Sequence, residues 1–427
     1  MLLTDSDQAM LHGEAGGATR TAMELLLATA EAEGASELLD ISAAHIDGCL
    51  YHGQAGLDFA RSLRDGGAKV VVPTTLNVSS LDLLHPQLYR GDPAVASAAR
   101  QLMDAYVDMG CVPSWTCAPY QLPNRPGLGD QIAWGESNAI VFANSVLGAR
   151  TGRYGDFLDI CCALTGRAPA VGLHTDQGRR ARLRLDLDIP DHLFDDDLLY
   201  AVLGHVMGEI AGTEVPVIVG LDDRATEDRL KALGAAAASS GAVAMFHAVG
   251  VTPEAPTLDA ATGGMEPETR IVIGREELNR ARASLNQGGG PLGAVSVGTP
   301  HFSVNELKEL AELVSGRSTT VPFYVNTSRD VLAAAEQTGA VEIIERFGAT
   351  VVTDTCTYIT PIMGDVDGVV MTNSGKWAFY APGNLGVEVA FAGLEACVVS
   401  AVSGQVKWGR SGEGGRLQGP GRWGGHR

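Results

Sequence analysis

Pro322-Phe323-Tyr324-Val325-Asn326-Thr327-Ser328 is a short apolar run that stops in small polar residues, and Arg329 to Gln337 continues it with a helical pattern. A run this short and this apolar reads as a strand buried on both faces, and Ser328 suits the N-cap of the helix behind it. The same grammar recurs along the chain. Lys69 to Pro73, Val215 to Leu221, Ala242 to His247, Arg270 to Gly274, Ala294 to Gly298 and Thr350 to Thr355 read as strands. Ala18 to Glu33, closed by Gly34, and Ser303 to Ser315 read as helices. Apolar strands separated by helices predict an α/β fold of parallel sheets flanked by helices.

The strand ends carry a functional hint. Pro73-Thr74-Thr75-Leu76-Asn77, Gly298-Thr299-Pro300-His301, Asn326-Thr327-Ser328 and Thr353-Asp354-Thr355-Cys356 all finish in small polar residues. In parallel α/β folds, sites form outside the carboxyl ends of the strands. The chain divides into expected lobes at 1–150, 151–290 and 291–403, followed by a Gly/Arg-rich tail at 404–427 that reads as irregular. Asp195-Asp196-Asp197 reads as a solvated helix start and not as a metal site.

The chain has 427 residues and a formal net charge of -20. That acidity argues against nucleic acid and against anionic membrane surfaces, both of which need clustered Lys and Arg. No apolar run is long enough to span a bilayer, and Met1 to Asp7 lack the features of a signal peptide. A cytoplasmic location is therefore expected. The seven cysteines, at 49, 111, 117, 161, 162, 356 and 397, then read as free thiols. Taken singly, each is a small buried apolar residue as readily as a ligand.

Three segments concentrate chemistry. The first runs from Gly110 to Thr151. It holds Cys117 in a Thr-Cys-Ala-Pro-Tyr turn, where Pro119 stops a helix, and Glu136-Ser137 at the start of an apolar helix. That helix start could cap itself or receive an anion. The second is Thr353 to Tyr358 around Cys356. The third is Met371 to Pro382, where Lys376 comes after Ser374 and Gly375. Lys376 is one of only five lysines and suits a carboxylate or phosphate. His45 and His301 are the histidines best placed for a site. No phosphate loop, nucleophile elbow or zincin helix is present. Spacing alone does not say which cysteines meet.

Together these segments resemble the aconitase X family, a divergent branch of the aconitase superfamily. The resemblance rests on Ala44-His45-Ile46-Asp47-Gly48, Thr116-Cys-Ala-Pro-Tyr120, Trp134-Gly-Glu-Ser-Asn138, Asn144 to Thr151, Gly250 to Ala255, Gly298-Thr-Pro-His301, Asp354-Thr-Cys356 and Thr372-Asn-Ser-Gly-Lys-Trp377. It covers residues 1–403. It implies aconitase-like lobes, with the swivel domain of that fold absent from this chain and supplied by a separate small subunit. It implies an iron centre held by Cys117, Cys356 and Cys397, with a 2Fe–2S cluster favoured over mononuclear iron. Glu136, Ser137 and Lys376 are implied as catalytic. Gly53, Gln54, Ala55, Asn77, Ser374 and His45 are expected to line the substrate site.

The implied reaction is loss of water from a small anionic hydroxy acid. The favoured substrate is cis-3-hydroxy-L-proline, giving Δ1-pyrroline-2-carboxylate. Mevalonate 5-phosphate is the alternative substrate, and a non-catalytic cluster-binding sensor is the alternative outside enzymology.

Overall fold

The computed structural model describes residues 1–408, so most of the tail expected to be irregular lies outside the described residues. The run at Pro322 to Ser328 forms strand Phe323–Thr327, and Ser328 caps helix Arg329–Glu336 by accepting from Val331 N–H at 3.3 Å. The strand belongs to a five-stranded parallel sheet. The spatial order is Ala349–Val352, Phe323–Thr327, Leu292–Phe302, Val369–Thr372, Val389–Phe391. The first of these strands in the chain lies in the middle. The winding therefore reverses between Leu292–Phe302 and Val369–Thr372, and such a reversal opens a crevice beyond the strand ends. Successive side chains alternate between faces. Val295, Val297, Val325 and Met371 pack on one face with Leu310, Ile344 and Cys397, while Ala294, Val370 and Phe391 pack on the other with Trp377 and Cys356.

The second lobe is a four-stranded parallel sheet in the order His247–Ala248, Pro216–Val219, Leu183–Asp188, Thr269–Gly274. Its helices Asp197–Ala211 and Glu227–Ser240 lie almost backbone to backbone. A Cβ at Gly204 would sit 2.0 Å from the Leu233 carbonyl oxygen, so only glycine admits that approach. The acidic run is a helix start as expected, with Asp196 accepting from Leu198 N–H at 3.0 Å.

The first lobe carries three parallel strands, Thr74–Leu76, Ala44–Ile46 and Ala133–Trp134, and an antiparallel pair, Leu38–Asp40 with Arg167–Pro169. That pair keeps the chain in the first lobe beyond the boundary expected at residue 150. Two expected strands are displaced. Val70 and Val71 donate to the carbonyls of Met109 and Ala163, in a helix end and another helix, so the ladder begins only at Thr74. In Ala242 to Phe246 the first and last peptide N–H groups go to Gly212 O and Ser145 Oγ, and pairing starts at His247. Among the described residues no helix is long and apolar enough to cross a membrane.

Candidate active site

Parallel strands in register end together, so the loops beyond them converge. In the first lobe Ile46 pairs with Leu76 and His45 with Trp134. Asp47, Asn77 and Glu136 consequently emerge at one edge. Asn77 Nδ2 donates to Glu136 Oε2 at 2.9 Å and to Asp47 Oδ1. The segment from Cys111 runs alongside the same strand. Val112 N–H donates to Thr74 O at 2.8 Å and Thr116 N–H to Leu76 O at 3.2 Å, which carries Cys117 just past the strand end. Pro119 then begins a single 3-10 turn, Pro119–Gln121.

The third lobe faces this edge with its own strand ends. His301 and Lys376 come from the two sides of the winding reversal, and Cys356 from the loop after Ala349–Val352. The thiols of Cys117 and Cys356 and a ring nitrogen of His301 all lie within 4.8 Å of one another, and all three residues are buried. His301 Nδ1 is 3.2 Å from Thr116 Oγ1, and Nε2 is 3.1 Å from Thr355 O. A carbonyl only accepts, so Nε2 donates there. His301 thus ties together the residues that immediately precede each cysteine. The peptide N–H of His301 donates to Cys117 Sγ at 3.3 Å.

Beside the thiols sits a buried ion pair. Lys376 Nζ is 2.5 Å from Glu136 Oε1. The same oxygen accepts from Ser137 Oγ at 3.1 Å, Asn138 N–H at 3.1 Å and Asn138 Nδ2 at 2.7 Å. Asn138 Nδ2 also reaches Cys117 O at 2.9 Å, and Tyr120 Oη–H donates to Asn138 Oδ1 at 2.8 Å. Asn138 is therefore the joint between the ion pair and the cysteine loop.

The electrostatics arise from these contacts. Burial pushes the Glu136 carboxyl up, but Lys376 and the Asn138 donors outweigh it and hold the group down at about 2. Burial opposes the charge of Lys376, yet Glu136 keeps the ammonium well above its usual range. Burial raises the Cys117 thiol; the hydrogen bond from Cys356 and the proximity of His301 and Lys376 bring it down to about 6. Asp47 is pushed well up, by burial first and then by Glu136 and Asp156. A buried thiolate with a second thiol and an imidazole at ligand distance is a donor set that suits iron.

The expected site residues separate into two groups. Glu136, Ser137, Asn77, Lys376, Cys117 and Cys356 are brought together. Cys397 is not. It lies in helix Leu394–Ser403 against the opposite face of the sheet from Cys356, its Sγ is 3.8 Å from Ala392 O, and burial keeps the thiol protonated. The helix start at Glu136 is not an open anion site either. The helix Ser137–Phe142 has six residues, and the Glu136 carboxylate already accepts from the N–H of Asn138 in its first turn. Ser374 caps helix Gly375–Leu385 through Trp377 N–H at 3.0 Å and donates to Thr299 O. His45 is buried within its strand, 2.8 Å from Thr75 Oγ1, and burial holds it neutral, near 4. Gly53 precedes helix Gln54–Asp65, whose first residues are Gln54 and Ala55, and Gln54 bonds Asp58 at 2.6 Å. Asp47, Asn138 and the bridging role of His301 were not singled out from sequence. The signal for Asp47 was available, since it comes directly after the strand paired with the one before Asn77.

Lobes of parallel sheet thus bring two thiols, a carboxylate and a lysine to one crevice. Comparisons with known proteins say which class of chain carries this arrangement. Residues 1–177 match the first domain of aconitase X, 181–283 the second and 292–403 the third. The chain is 47% identical over 405 residues to cis-3-hydroxy-L-proline dehydratase of Pseudomonas aeruginosa, covering 93% of this chain and 70% of that protein. It is 38% identical to the phosphomevalonate dehydratase large subunit of Thermococcus kodakarensis, covering 89% of this chain and 95% of that one. The crystal structure of Thermococcus kodakaraensis aconitase X in its holo-form superposes with a TM-score of 0.85 at 35% identity, over 94% of this chain and 100% of the other. The chain belongs to the aconitase X family.

Proposed function

We propose that this chain is the iron-bearing part of a cytoplasmic hydro-lyase that removes water from cis-3-hydroxy-L-proline to give Δ1-pyrroline-2-carboxylate. The observation that carries this reading is the buried Glu136–Lys376 pair beside the Cys117 and Cys356 thiols. Cys117 and Cys356 would hold the iron, as a cluster or a single ion, with His301 at ligand distance. A bound iron supplies a Lewis acid for the departing hydroxyl.

The chain's own residues do the rest. The substrate is a zwitterion, with a carboxylate and a ring ammonium. Lys376 offers the matching cation and Glu136, ionised at any working pH, the matching anion. Holding both ends fixes the carbon that bears the hydroxyl. Ser137 Oγ, already 3.1 Å from Glu136, can move with the carboxylate when Glu136 turns to the ammonium. Glu136 is too weak a base to take the proton next to the carboxylate, because its conjugate acid lies near 2. We assign that step to a separate small swivel subunit. Relatives named large subunits support a two-chain enzyme.

Mevalonate 5-phosphate is the second reading, and the 38% identity to a phosphomevalonate dehydratase large subunit favours it. That substrate carries two anionic groups and no cation, which leaves Glu136 without a counterpart. The test is anaerobic co-expression with the small subunit, then assay on both compounds. Dehydration of hydroxyproline is expected. Turnover of the phosphate alone would transfer the chain to the second reading, and an iron-loaded complex inert on both would overturn the enzyme assignment in this form.

A further inference from the structure

The first and third lobes also meet behind Cys356, where two buried aspartates reach across in opposite directions. Asp82, on the loop that begins at Asn77, accepts from Thr353 N–H at 2.9 Å and from Thr353 Oγ1 at 3.0 Å. Asp354, on the loop that leads to Cys356, accepts from Leu83 N–H at 2.9 Å. The Asp354 carbonyl accepts from Ser79 N–H at 2.7 Å. Each carboxylate therefore grips the peptide next to the other.

Both acids are held in place from their own side. Asp82 also accepts from the N–H groups of Leu84 and His85, at 2.9 and 2.8 Å. Arg329 clamps both oxygens of Asp354 at 2.6 Å. Asp354 adopts φ 61°, a left-handed conformation that residues other than glycine take at a cost and that Asp tolerates better than most. That twist turns the chain at the point where it must deliver Cys356. The loop gripped by Asp354 holds Asn77 at its other end, and Asn77 bonds Glu136. One pair of contacts thus fixes the Cys356 loop relative to the ion-pair side of the crevice.

We propose that Asp82 and Asp354 are positioning residues that set Cys356 opposite Cys117. The proposal rests on the reading of those two cysteines as iron ligands. Residues that orient ligands without touching the metal typically cost about 10–100-fold in metal affinity when lost.

The test uses cobalt(II) as the probe, added anaerobically to the metal-free chain. Thiolate ligation gives the wild type sulfur-to-cobalt charge-transfer absorption. Asp82→Asn and Asp354→Asn are expected to weaken cobalt binding about 10–100-fold and to reduce that absorption per bound ion. Asp7→Asn is the control. It removes another fully buried carboxylate, paired with Arg167 within the first lobe, and should cost stability while leaving the cobalt spectrum unchanged. Hydrogen exchange on the metal-free forms is the second readout, with faster exchange expected at 79–85 and 353–358 in the two clasp variants only. Wild-type cobalt affinity and spectrum in both clasp variants would overturn the proposal, as would a uniform rise in exchange along the chain. Should wild-type cobalt show no thiolate absorption, the ligand reading has failed, and the exchange pattern alone decides the clasp.

Discussion

Lys376 Nζ and Glu136 Oε1 are 2.5 Å apart, across 240 residues of sequence and between the first and third lobes. The pair is both an interlobe bond and the chemical centre of the crevice. Removing one partner leaves a buried charge alone, which generally costs about 3–5 kcal/mol. Lys376→Met is expected to destabilise the chain on that scale, by urea denaturation, and to lower kcat of the assembled enzyme by about 10²–10³-fold. The double variant Lys376→Met/Glu136→Gln should recover much of the stability and none of the activity. Recovery of activity in the double variant would refute the catalytic role.

The same pair sets the response to acid. The Glu136 pKa is about 2 in the folded chain and ~4.3 when unfolded, so its contribution is complete above ~4.3 and is lost as pH falls toward 2. Asp159, buried in the first turn of helix Leu158–Thr165 and accepting from Asp47 N–H at 2.7 Å, acts in the opposite sense. Burial raises it to about 7, against ~3.9 unfolded, so its contribution is complete below ~3.9 and is lost as pH rises through 7. Denaturation midpoints across pH should show both slopes. Glu136→Gln should flatten the acid limb and Asp159→Asn the neutral one; limbs that persist in these variants would assign the slopes to other groups.

The cysteines make a sharper distinction. Cys117→Ala and Cys356→Ala are each expected to abolish stoichiometric iron, measured by metal analysis after anaerobic reconstitution. Cys397→Ala should retain it, because that thiol packs on the other face of the sheet. Loss of iron in Cys397→Ala, with the fold intact by circular dichroism, would restore the three-cysteine ligand set.

His301 bridges the two cysteine loops through Thr116 and Thr355. His301→Ala should weaken iron binding by about 10–100-fold or more, and His301→Gln, which can keep one of the two hydrogen bonds, by less. Equal losses in the two variants would favour direct ligation over bridging.

Much of this was legible in the sequence. Strands with apolar interiors and polar ends pointed to the α/β class, and Ser303 and Ser328 marked two helix starts. Glu136 stood out at a helix start and Lys376 as one of five lysines, while Cys117 and Cys356 were separated from the other cysteines only by the family resemblance. Cys397 was named through the family resemblance, and the donor group of Cys117, Cys356 and His301 does not include it. It lies inside a helix, and which face of a sheet that helix covers depends on winding that no local pattern reveals. The Lys69 to Pro73 run failed for another reason: β-branched residues favour extended chain, but a ladder also needs a neighbour, and Val70 and Val71 find helix carbonyls instead. Asn138 could not be foreseen as the joint between Glu136 and Cys117, since its two contacts come from different turns of chain.

The bridge from His301 to Thr116 spans 185 residues. During synthesis the first lobe leaves the ribosome long before the third, and domains tend to fold as they emerge. Cys117 is then displayed on a finished lobe with no counterpart, open to oxidants and to stray metal. Only when the third lobe folds do His301 and Cys356 arrive, so that the two loops can be tied. On the proposed reading, acquisition of iron would mark the end of folding, and a stalled or truncated nascent chain would present a bare thiol that quality-control factors can recognise.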